Sequence, residues 1–301
     1  MSAPTPVKKA VVVTGASTGI GLACVETLIA AGFFVFGSVR RAEDAKHLQD
    51  RFGDDVAALL FDVTDDAAID AAARDITVRL NGQSLAGLVN NAGVAFPGPL
   101  LHLSIEDFRR QIAINLTGQL KVIQAFAPLL GASDEQRIGA PGRIINMSSV
   151  AGRFAKPFMG AYNASKFGLE GLSDALRREL TVYGVDVVII EPGMIATPIW
   201  DKLDTVDMSP FDGTIYATAA RRVQEWAVKH GREAPPAARV AEAVRHALTV
   251  DRPPASIAVV KNWLTDYALP PLLPTWLSDW LVARWLGFDK LRAARRTETK
   301  R

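Results

Sequence analysis

Short runs of β-branched and other apolar residues alternate along the chain with longer stretches in which apolar residues recur three and four positions apart. The sequence predicts seven strands, at residues 9–15, 33–39, 56–63, 85–93, 142–149, 185–193 and 256–260. The helical pattern between them is clearest in GIGLACVETLIAAG and FRRQIAINLTGQLKVIQAFAPLL. Nearly continuous apolar strands that alternate with helices predict an α/β fold, a single doubly wound, seven-stranded parallel sheet with helices on both faces.

Two regions interrupt this alternation. Residues 194–236 are polar and lie between the sixth and seventh predicted strands, whereas residues 262–301 are rich in Trp, Pro and Leu. We therefore expect residues 1–261 to form the sheet domain, with 194–236 as a lid over its site. Residues 262–301 are expected to form a helical, amphipathic C-terminal tail.

Composition restricts the classes of partner. The chain has 34 Lys and Arg residues against 32 Asp and Glu, a formal charge of +2, so nucleic acid is not an expected partner. The single cysteine, Cys24, excludes an internal disulfide and lies on an apolar helical face typical of a core residue. No signal peptide and no apolar run of ~18 residues is found, so we expect a cytoplasmic protein. The four histidines lie far apart and predict no metal site: His47, His102, His230 and His246.

The first predicted strand ends in a glycine-rich turn, TGASTGIG, which leads into a helix. Gly15, Gly19 and Gly21 would let the backbone turn tightly and approach a pyrophosphate, whose charge is favoured by the free N–H groups of a helix N-terminus. A simple strand-to-helix turn would also use glycine. The position of the turn in the first β-α unit favours a nucleotide, because doubly wound sheets bind ligands at the carboxyl ends of their strands.

Further polar motifs follow the later strands. FDVTD places Asp62 after the third strand, NNAG ends the fourth, and Ser149 follows the fifth. Ser149 and Tyr162 are thirteen positions apart, and Tyr162 and Lys166 are four apart, which puts the latter two on one helix face. From about residue 8 to 260 this ordered set resembles the classical short-chain dehydrogenase/reductase family. The C-terminal tail resembles that of its hydroxysteroid and retinol dehydrogenase branch. The resemblance implies a Rossmann-type domain that binds a dinucleotide and performs catalysis.

The chemistry of these residues suits reduction of a carbonyl, and this argument does not depend on the family resemblance. A developing alkoxide needs a proton donor, and a tyrosine, with an ordinary pKa near ~10, is poor at this unless a cation stabilises its phenolate. Lys166 would supply that charge and also bind the nicotinamide ribose, while Ser149 would hold the substrate oxygen. Ser148 is the rival of Ser149, and the thirteen-residue spacing favours Ser149. The resemblance adds Asn115 as the anchor of a water that relays protons to Lys166. Taken singly, such residues are more often packing or capping residues.

The second strand indicates which nicotinamide is used. Val39 stands where an enzyme of this kind that prefers NAD would carry an acidic residue, and Arg40 and Arg41 follow, ready to bind a 2′-phosphate. NADP is therefore favoured over NAD, although the arginines are also compatible with a solvated turn. Thr18 weakens the NADP assignment, because many relatives that use NADP carry a basic residue in the glycine-rich turn. The cofactor-binding set expected from the motifs and the resemblance is Gly15, Ser17, Thr18, Gly19, Ile20, Gly21, Arg40, Arg41, Asp62, Val63, Asn90, Ala92, Gly93, Tyr162, Lys166, Pro192, Gly193, Ile195 and Thr197.

Apolar residues in and near the lid suit a small hydrophobic substrate, such as a steroid, a retinoid or a lipid-like ketone. They are also compatible with a lid that simply packs on itself. Three other functions stay open: an NAD-dependent alcohol dehydrogenase of a smaller hydroxy compound, a nucleotide-sugar epimerase or dehydratase, and a cofactor-binding protein without catalysis. The lining candidates are Phe96, Phe154, Phe158, Met159, Met194, Ile199, Trp200, Leu203, Met208, Phe211 and Trp226.

The tail carries apolar residues at intervals of three to five and ends in a basic segment. Its apolar stripe comprises Trp276, Trp280, Leu281, Trp285 and Phe288, and the basic residues are Arg292, Arg295 and Arg296. Three roles compete: closure of the substrate pocket, contact with a partner subunit, and peripheral contact with an anionic membrane. We favour the first two over the membrane. The family resemblance implies a homodimer or homotetramer.

Overall fold

The fold is that of a computed structural model, which describes residues 8–135, 137–289, 291 and 292. Within these residues, seven strands form one parallel sheet in the order β3-β2-β1-β4-β5-β6-β7. This confirms the predicted doubly wound sheet. The strands are β1 (Ala10–Val13), β2 (Phe34–Val39), β3 (Val56–Leu60), β4 (Gly87–Asn90), β5 (Arg143–Met147), β6 (Asp186–Pro192) and β7 (Ser256–Val259).

Helices cover both faces of the sheet because successive side chains of each strand point to opposite sides. In β1, Val11 and Val13 join the core on one face and Val12 joins the core on the other. The first face is covered by α1 (Gly19–Ala30), α2 (Ala42–Phe52) and α9 (Ala238–Thr249). The second face is covered mainly by α3 (Asp66–Leu80), α5 (Gly118–Phe126) and α6 (Gly160–Glu179), and α4 (Ile105–Ile112) packs against α6.

The chain order reverses between β1 and β4. β1 pairs with β2 on one side and with β4 on the other. Loops that leave the carboxyl ends of these two strands separate toward opposite faces and open a crevice between them. The glycine-rich turn and the motif after β4 therefore face each other at this point.

Cys24 lies in α1, within the core on the first face of the sheet. Its side chain has 0% exposure, and burial raises the pKa of its thiol to about 12. The thiol therefore behaves as a packing group, as the apolar helical pattern predicts.

The lid contains two helices, α7 (Ile199–Asp204) and α8 (Ala217–Arg232). Trp200 lies flat on Gly231, where an added Cβ would come within 2.1 Å of the indole ring. Phe211 is buried, and its ring lies against Gly98 on the body of the domain. Two of the aromatic residues expected to line a pocket thus attach the lid to itself and to the domain.

The tail forms α10 (Thr275–Leu286), and it packs against α8. Leu286 is buried against Phe158 and Ala219, and the Arg222 guanidinium donates a hydrogen bond to the Trp285 carbonyl at 3.1 Å. The tail begins with a π-helical turn, Leu264–Ala268. Across the described ranges, no helix has the length and apolar character needed to cross a bilayer.

The packed side of the tail differs in part from the predicted stripe. Val282, Leu286 and Phe288 face the protein, and Phe288 belongs to the predicted stripe. Trp276 and Trp280 of that stripe are 71% and 54% exposed. Apolar residues surround most of this helix, so the three-to-five spacing could not identify which side is buried.

Candidate active site

The turn after β1 requires glycine where the backbone has a positive φ and where two backbone segments approach each other closely. Gly15 and Gly19 have φ of 66° and 59°, a region that side chains disfavour. An added Cβ on Gly21 would lie 2.0 Å from the Gly15 carbonyl oxygen, so the first turn of α1 packs directly on the loop. This cradle suits close approach of a pyrophosphate to free backbone N–H groups at the start of α1. A dinucleotide fits it.

Three side chains that the sequence did not single out hold this turn in place. The Thr14 hydroxyl accepts hydrogen bonds from the N–H groups of Asn91 and Ala92, both at 2.9 Å. The Asn91 amide donates to the carbonyls of Thr14 and Gly15 at 2.9 and 3.3 Å. Ser38 at the end of β2 accepts from the Gly15 N–H at 3.2 Å. Thr14 lies within the TGASTGIG motif and Asn91 within NNAG, so these motifs were the signal in the sequence by which the two residues could have been found.

Other predicted cofactor residues line the same edge of the sheet. Ser17 and Thr18 precede α1, and Ile20 lies in its first turn. Thr197 from the lid segment lies against Gly19, 3.4 Å from an added Cβ there. Asn90, Ala92 and Gly93 follow β4, Asp62 and Val63 follow β3, and Pro192, Gly193 and Ile195 lie at or after the end of β6.

The arginines after β2 differ in their contacts. Arg41 is held by Asp44, with two hydrogen bonds of 2.9 and 2.8 Å. The Arg40 side chain is 65% exposed and lies 3.8 Å from the carboxylate of Asp62. Arg40 therefore makes weaker contacts within the protein than Arg41 does. It lies at the end of β2, where a 2′-phosphate would bind.

Ser149, Tyr162 and Lys166 converge after β5. Ser149 begins the turn after this strand, and its hydroxyl donates to the Pro192 carbonyl at 3.2 Å. The Tyr162 side chain lies next to that of Ser149, whose hydroxyl lowers the pKa of the phenol. Lys166 lies one helical turn later, with its Nζ 5.7 Å from the centroid of the Tyr162 ring. The Lys166 ammonium also donates to the Met147 carbonyl at 2.7 Å.

Burial works against charge on both titrating groups. It raises the pKa of Tyr162, and the neighbouring Ser149 hydroxyl partly opposes this. Burial also lowers the pKa of Lys166 to about 8, with the Glu170 carboxylate opposing the shift. Deprotonation of Tyr162 therefore depends on nearby positive charge.

The two serines point in different directions. The Ser148 hydroxyl lies at Gly152, 3.0 Å from an added Cβ there, beside Glu170. Ser149 is the serine that contacts Tyr162. Adjacent residues of an extended chain face opposite sides, so only one of the pair can reach the tyrosine.

Asn115 lies in a π-helical turn, Ala113–Thr117, between α4 and α5. Its side-chain amide donates to the Val94 carbonyl at 2.9 Å and to Ser165 Oγ at 3.2 Å, and its oxygen accepts from the Val94 N–H at 2.9 Å. Both amide hydrogens are therefore used. A water held by this side chain, as the resemblance implies, would have to donate to the amide oxygen, which has a second lone pair.

Comparison with known proteins identifies the family. The family model described as short chain dehydrogenase matches residues 9–207. The chain belongs to this family. It is accordingly an oxidoreductase that uses a nicotinamide cofactor.

Two curated relatives cover nearly the whole of the dehydrogenase. An NADPH-dependent 3-dehydrocapnine reductase of Ornithobacterium rhinotracheale is 38% identical over 268 residues, which cover 89% of this chain and 94% of the relative. Human retinol dehydrogenase 5 is 31% identical over 295 residues, covering 91% and 89%. Among solved structures, the closed form of serine dehydrogenase complexed with NADP+ has a TM-score of 0.71 and 27% identity, and the match covers 86% of this chain and 97% of that one.

Proposed function

We propose that this dehydrogenase is an NADP(H)-dependent enzyme that interconverts a secondary alcohol and a ketone on a bulky hydrophobic molecule. The observation that carries this proposal is the convergence of Ser149, Tyr162 and Lys166 beside the glycine-rich turn. In the reductive direction the bound nicotinamide supplies a hydride to the carbonyl carbon. The residues of the chain then have to orient the carbonyl oxygen and deliver a proton to it.

Tyr162 is the proposed acid in reduction and base in oxidation. Its hydroxyl lies beside that of Ser149, so a carbonyl oxygen placed between them would accept a hydrogen bond from Tyr162, and one from Ser149 once the serine hydroxyl turns from the Pro192 carbonyl to the substrate. When Tyr162 gives up its proton, the adjacent Lys166 ammonium stabilises the phenolate. Lys166 keeps its own position through the hydrogen bond to Met147.

The cofactor preference is proposed from the end of β2. Arg40 is exposed there, and a guanidinium binds a phosphate through two parallel hydrogen bonds. The relative that is 38% identical has a name stating NADPH dependence, and the serine dehydrogenase structure is described as an NADP+ complex. Both support NADP over NAD.

A hydrophobic substrate is proposed from the aromatic cluster beside α6. The Phe288 ring lies 6.2 Å from that of Phe158 and 6.0 Å from that of Tyr216, measured between centroids. Phe158 stands four positions before Tyr162, just ahead of α6, and its φ of 64° is strained for a side chain of this size. The tail thus packs on a residue that leads into α6, the helix of Tyr162, and this contact supports pocket closure as its role.

The test is a panel of hydrophobic ketones and alcohols, including a steroid, a retinoid and a long-chain ketone. Each is assayed with NADPH or NADP+, and with NADH or NAD+. We expect higher kcat/KM with the phosphorylated cofactor and with the bulky ketones than with short hydroxy compounds. A preference for NADH, or for a small hydroxy compound, would replace this assignment with the NAD-dependent alternative.

A further inference from the structure

The chain leaves the ligand edge of the sheet after β4 through segment 94–98, which ends beside the start of α6. The segment begins directly after Gly93, the last residue of the NNAG motif. At its other end, the Gly98 N–H donates to the Phe158 carbonyl at 2.7 Å, and Phe211 from the lid packs on Gly98. The segment therefore runs from the expected cofactor residues to the residues just ahead of the catalytic helix, and it borders the site on that side.

Two side-chain amides, one from α4 and one from the π-helical turn after it, hold this segment by its backbone. Gln111 Nε2 donates to the Val94 carbonyl at 2.7 Å, and Gln111 Oε1 accepts from the Phe96 N–H at 2.8 Å. Asn115 Nδ2 donates to the same Val94 carbonyl, and Asn115 Oδ1 accepts from the Val94 N–H, both at 2.9 Å. Together the two amides supply the donors and acceptors that a neighbouring strand would offer.

Gln111 is the member of this pair on which Phe96 depends. Its side chain has 0% exposure, and both of its polar atoms are used. Val94 is also held by Asn115, whereas across the described ranges the Phe96 N–H has no acceptor besides Gln111. The guanidinium of Arg110 lies over the Phe96 ring, 5.5 Å from its centroid. Adjacent residues of α4 thus hold Phe96 by its backbone and by its ring.

We infer that Gln111 is a positioning residue that fixes segment 94–98 where it borders the substrate, so that a bulky ketone is held against Tyr162. This role rests on the proposed function. The amide does not titrate, so its effect on the reaction passes through the segment. Without it, the Phe96 N–H would lose its partner, and an N–H left unpaired away from water is costly enough to displace the backbone. Substrate binding would then suffer more than cofactor binding.

Gln119 offers a matched control on the cofactor side of the same loop. Its side chain is buried like that of Gln111, and its Nε2 donates to the Ala92 carbonyl at 2.6 Å and to the Ile114 carbonyl at 3.2 Å. Ala92 belongs to the expected cofactor-binding set. The two glutamines therefore hold successive parts of the chain, one beside the cofactor and one beside the substrate.

The kinetic test compares Gln111→Met with Gln119→Met, because each keeps the size of the side chain and removes its hydrogen bonds. We expect Gln111→Met to raise KM for a bulky ketone by about tenfold, with less than about a twofold change in kcat and in the Kd of NADPH. Gln119→Met should instead weaken NADPH. An unchanged ketone KM in folded Gln111→Met, or a loss of NADPH affinity as large as the rise in ketone KM, overturns the inference.

Gln111→Glu gives a rescue that depends on pH and that a purely space-filling role would not show. A protonated carboxyl has an O–H donor for the Val94 carbonyl and an oxygen that accepts from the Phe96 N–H, whereas the ionised form has no donor. Burial against a carbonyl oxygen raises the pKa of such a carboxyl. The ketone KM of this variant, divided by the wild-type KM at the same pH, should therefore be lowest in acid and increase as the pH rises. A ratio that does not change with pH contradicts the role of Gln111, and this result decides if Gln111→Met does not fold.

Hydrogen exchange tests the contact without substrate. Protein labelled with ¹⁵N-phenylalanine and ¹⁵N-valine is transferred to D₂O, and the two amide signals are assigned by their loss in Phe96→Leu and Val94→Ile. In Gln111→Met the Phe96 amide should exchange at least about tenfold faster, while the Val94 amide, still bonded to Asn115, changes less. Unchanged exchange at Phe96 overturns the inference. If the wild-type enzyme reduces no ketone, the proposed reaction fails, while hydrogen exchange still tests whether Gln111 holds the segment.

Discussion

Tyr162 and Lys166 lie on one face of α6, but they contact different residues at the carboxyl end of β5. Tyr162 contacts Ser149, whereas Lys166 donates to Met147, the last residue of β5. The distance between the two groups is set by the helical repeat, and their approach to the sheet is set by where α6 packs. The spacing could therefore be predicted from the sequence, but the contact with Met147 could not.

Removing the Tyr162 hydroxyl tests the assigned proton donor. Tyr162→Phe keeps the ring, so we expect turnover to fall by at least ~10²-fold while NADPH affinity changes little. Steady-state kinetics and fluorescence titration of cofactor measure the two effects. Tyr183→Phe, at a tyrosine that is 39% exposed, is the matched control and should retain activity. Wild-type turnover in Tyr162→Phe would contradict the assigned role.

The two arginines after β2 are predicted to differ in their effect on cofactor choice. Arg40→Ala should raise KM for NADPH and leave KM for NADH nearly unchanged, because only the phosphorylated cofactor loses a partner. Arg41→Ala, whose guanidinium is already bound to Asp44, should have the smaller effect. The ratio of kcat/KM for the two cofactors measures this. Equal ratios in wild type and Arg40→Ala would assign the 2′-phosphate contact elsewhere.

At the scale of elements, the strands were more predictable than the tail. Each strand contains a short apolar run bounded by turn residues, and the parallel sheet buries both of its faces. Helix α10 has apolar residues on most sides, so its buried side depends on α8 and on Phe158, which are distant in sequence. The π-helical turn that carries Asn115 likewise has no signal in the apolar pattern.

Two alanine substitutions in α10 test the role of the tail. Leu286→Ala should destabilise the enzyme by about 2–4 kcal/mol, since it removes a buried side chain at Phe158. It should also raise KM for bulky ketones. Trp276→Ala changes a side chain that is 71% exposed and should alter unfolding by less than about 0.5 kcal/mol. Denaturant unfolding and substrate kinetics measure both variants, and indistinguishable results would argue against pocket closure.

At the scale of the whole molecule, the crevice between β1 and β4 follows from the order of the strands. Alternating strands and helices predict a doubly wound sheet, and such a sheet has its ligand crevice where the order reverses. The sequence could therefore indicate which loops meet. It could not indicate that Thr14, Asn91 and Ser38 would hold the glycine-rich turn, because these contacts cross between separate strands.

The exposed apolar side chains of the tail are predicted to support self-association. Trp263, Leu272, Trp276 and Trp280 are each more than half exposed, and large exposed apolar patches commonly mark interaction surfaces. We expect sedimentation of the full chain to give a dimer or tetramer, and truncation after Lys261 to lower the mass. A monomeric full chain that floats with anionic vesicles in a salt-sensitive manner would instead support the membrane role.

The burial of Cys24 gives this enzyme a convenient property for spectroscopy. The chain has one cysteine, and a thiol with a pKa of about 12 forms almost no thiolate near neutral pH. Maleimide reagents should therefore leave the wild-type protein unmodified, and Trp276→Cys would create a single reactive thiol. A polarity-sensitive fluorophore or a spin label attached there would report whether the tail meets water, lipid or a second subunit, without replacement of any native cysteine.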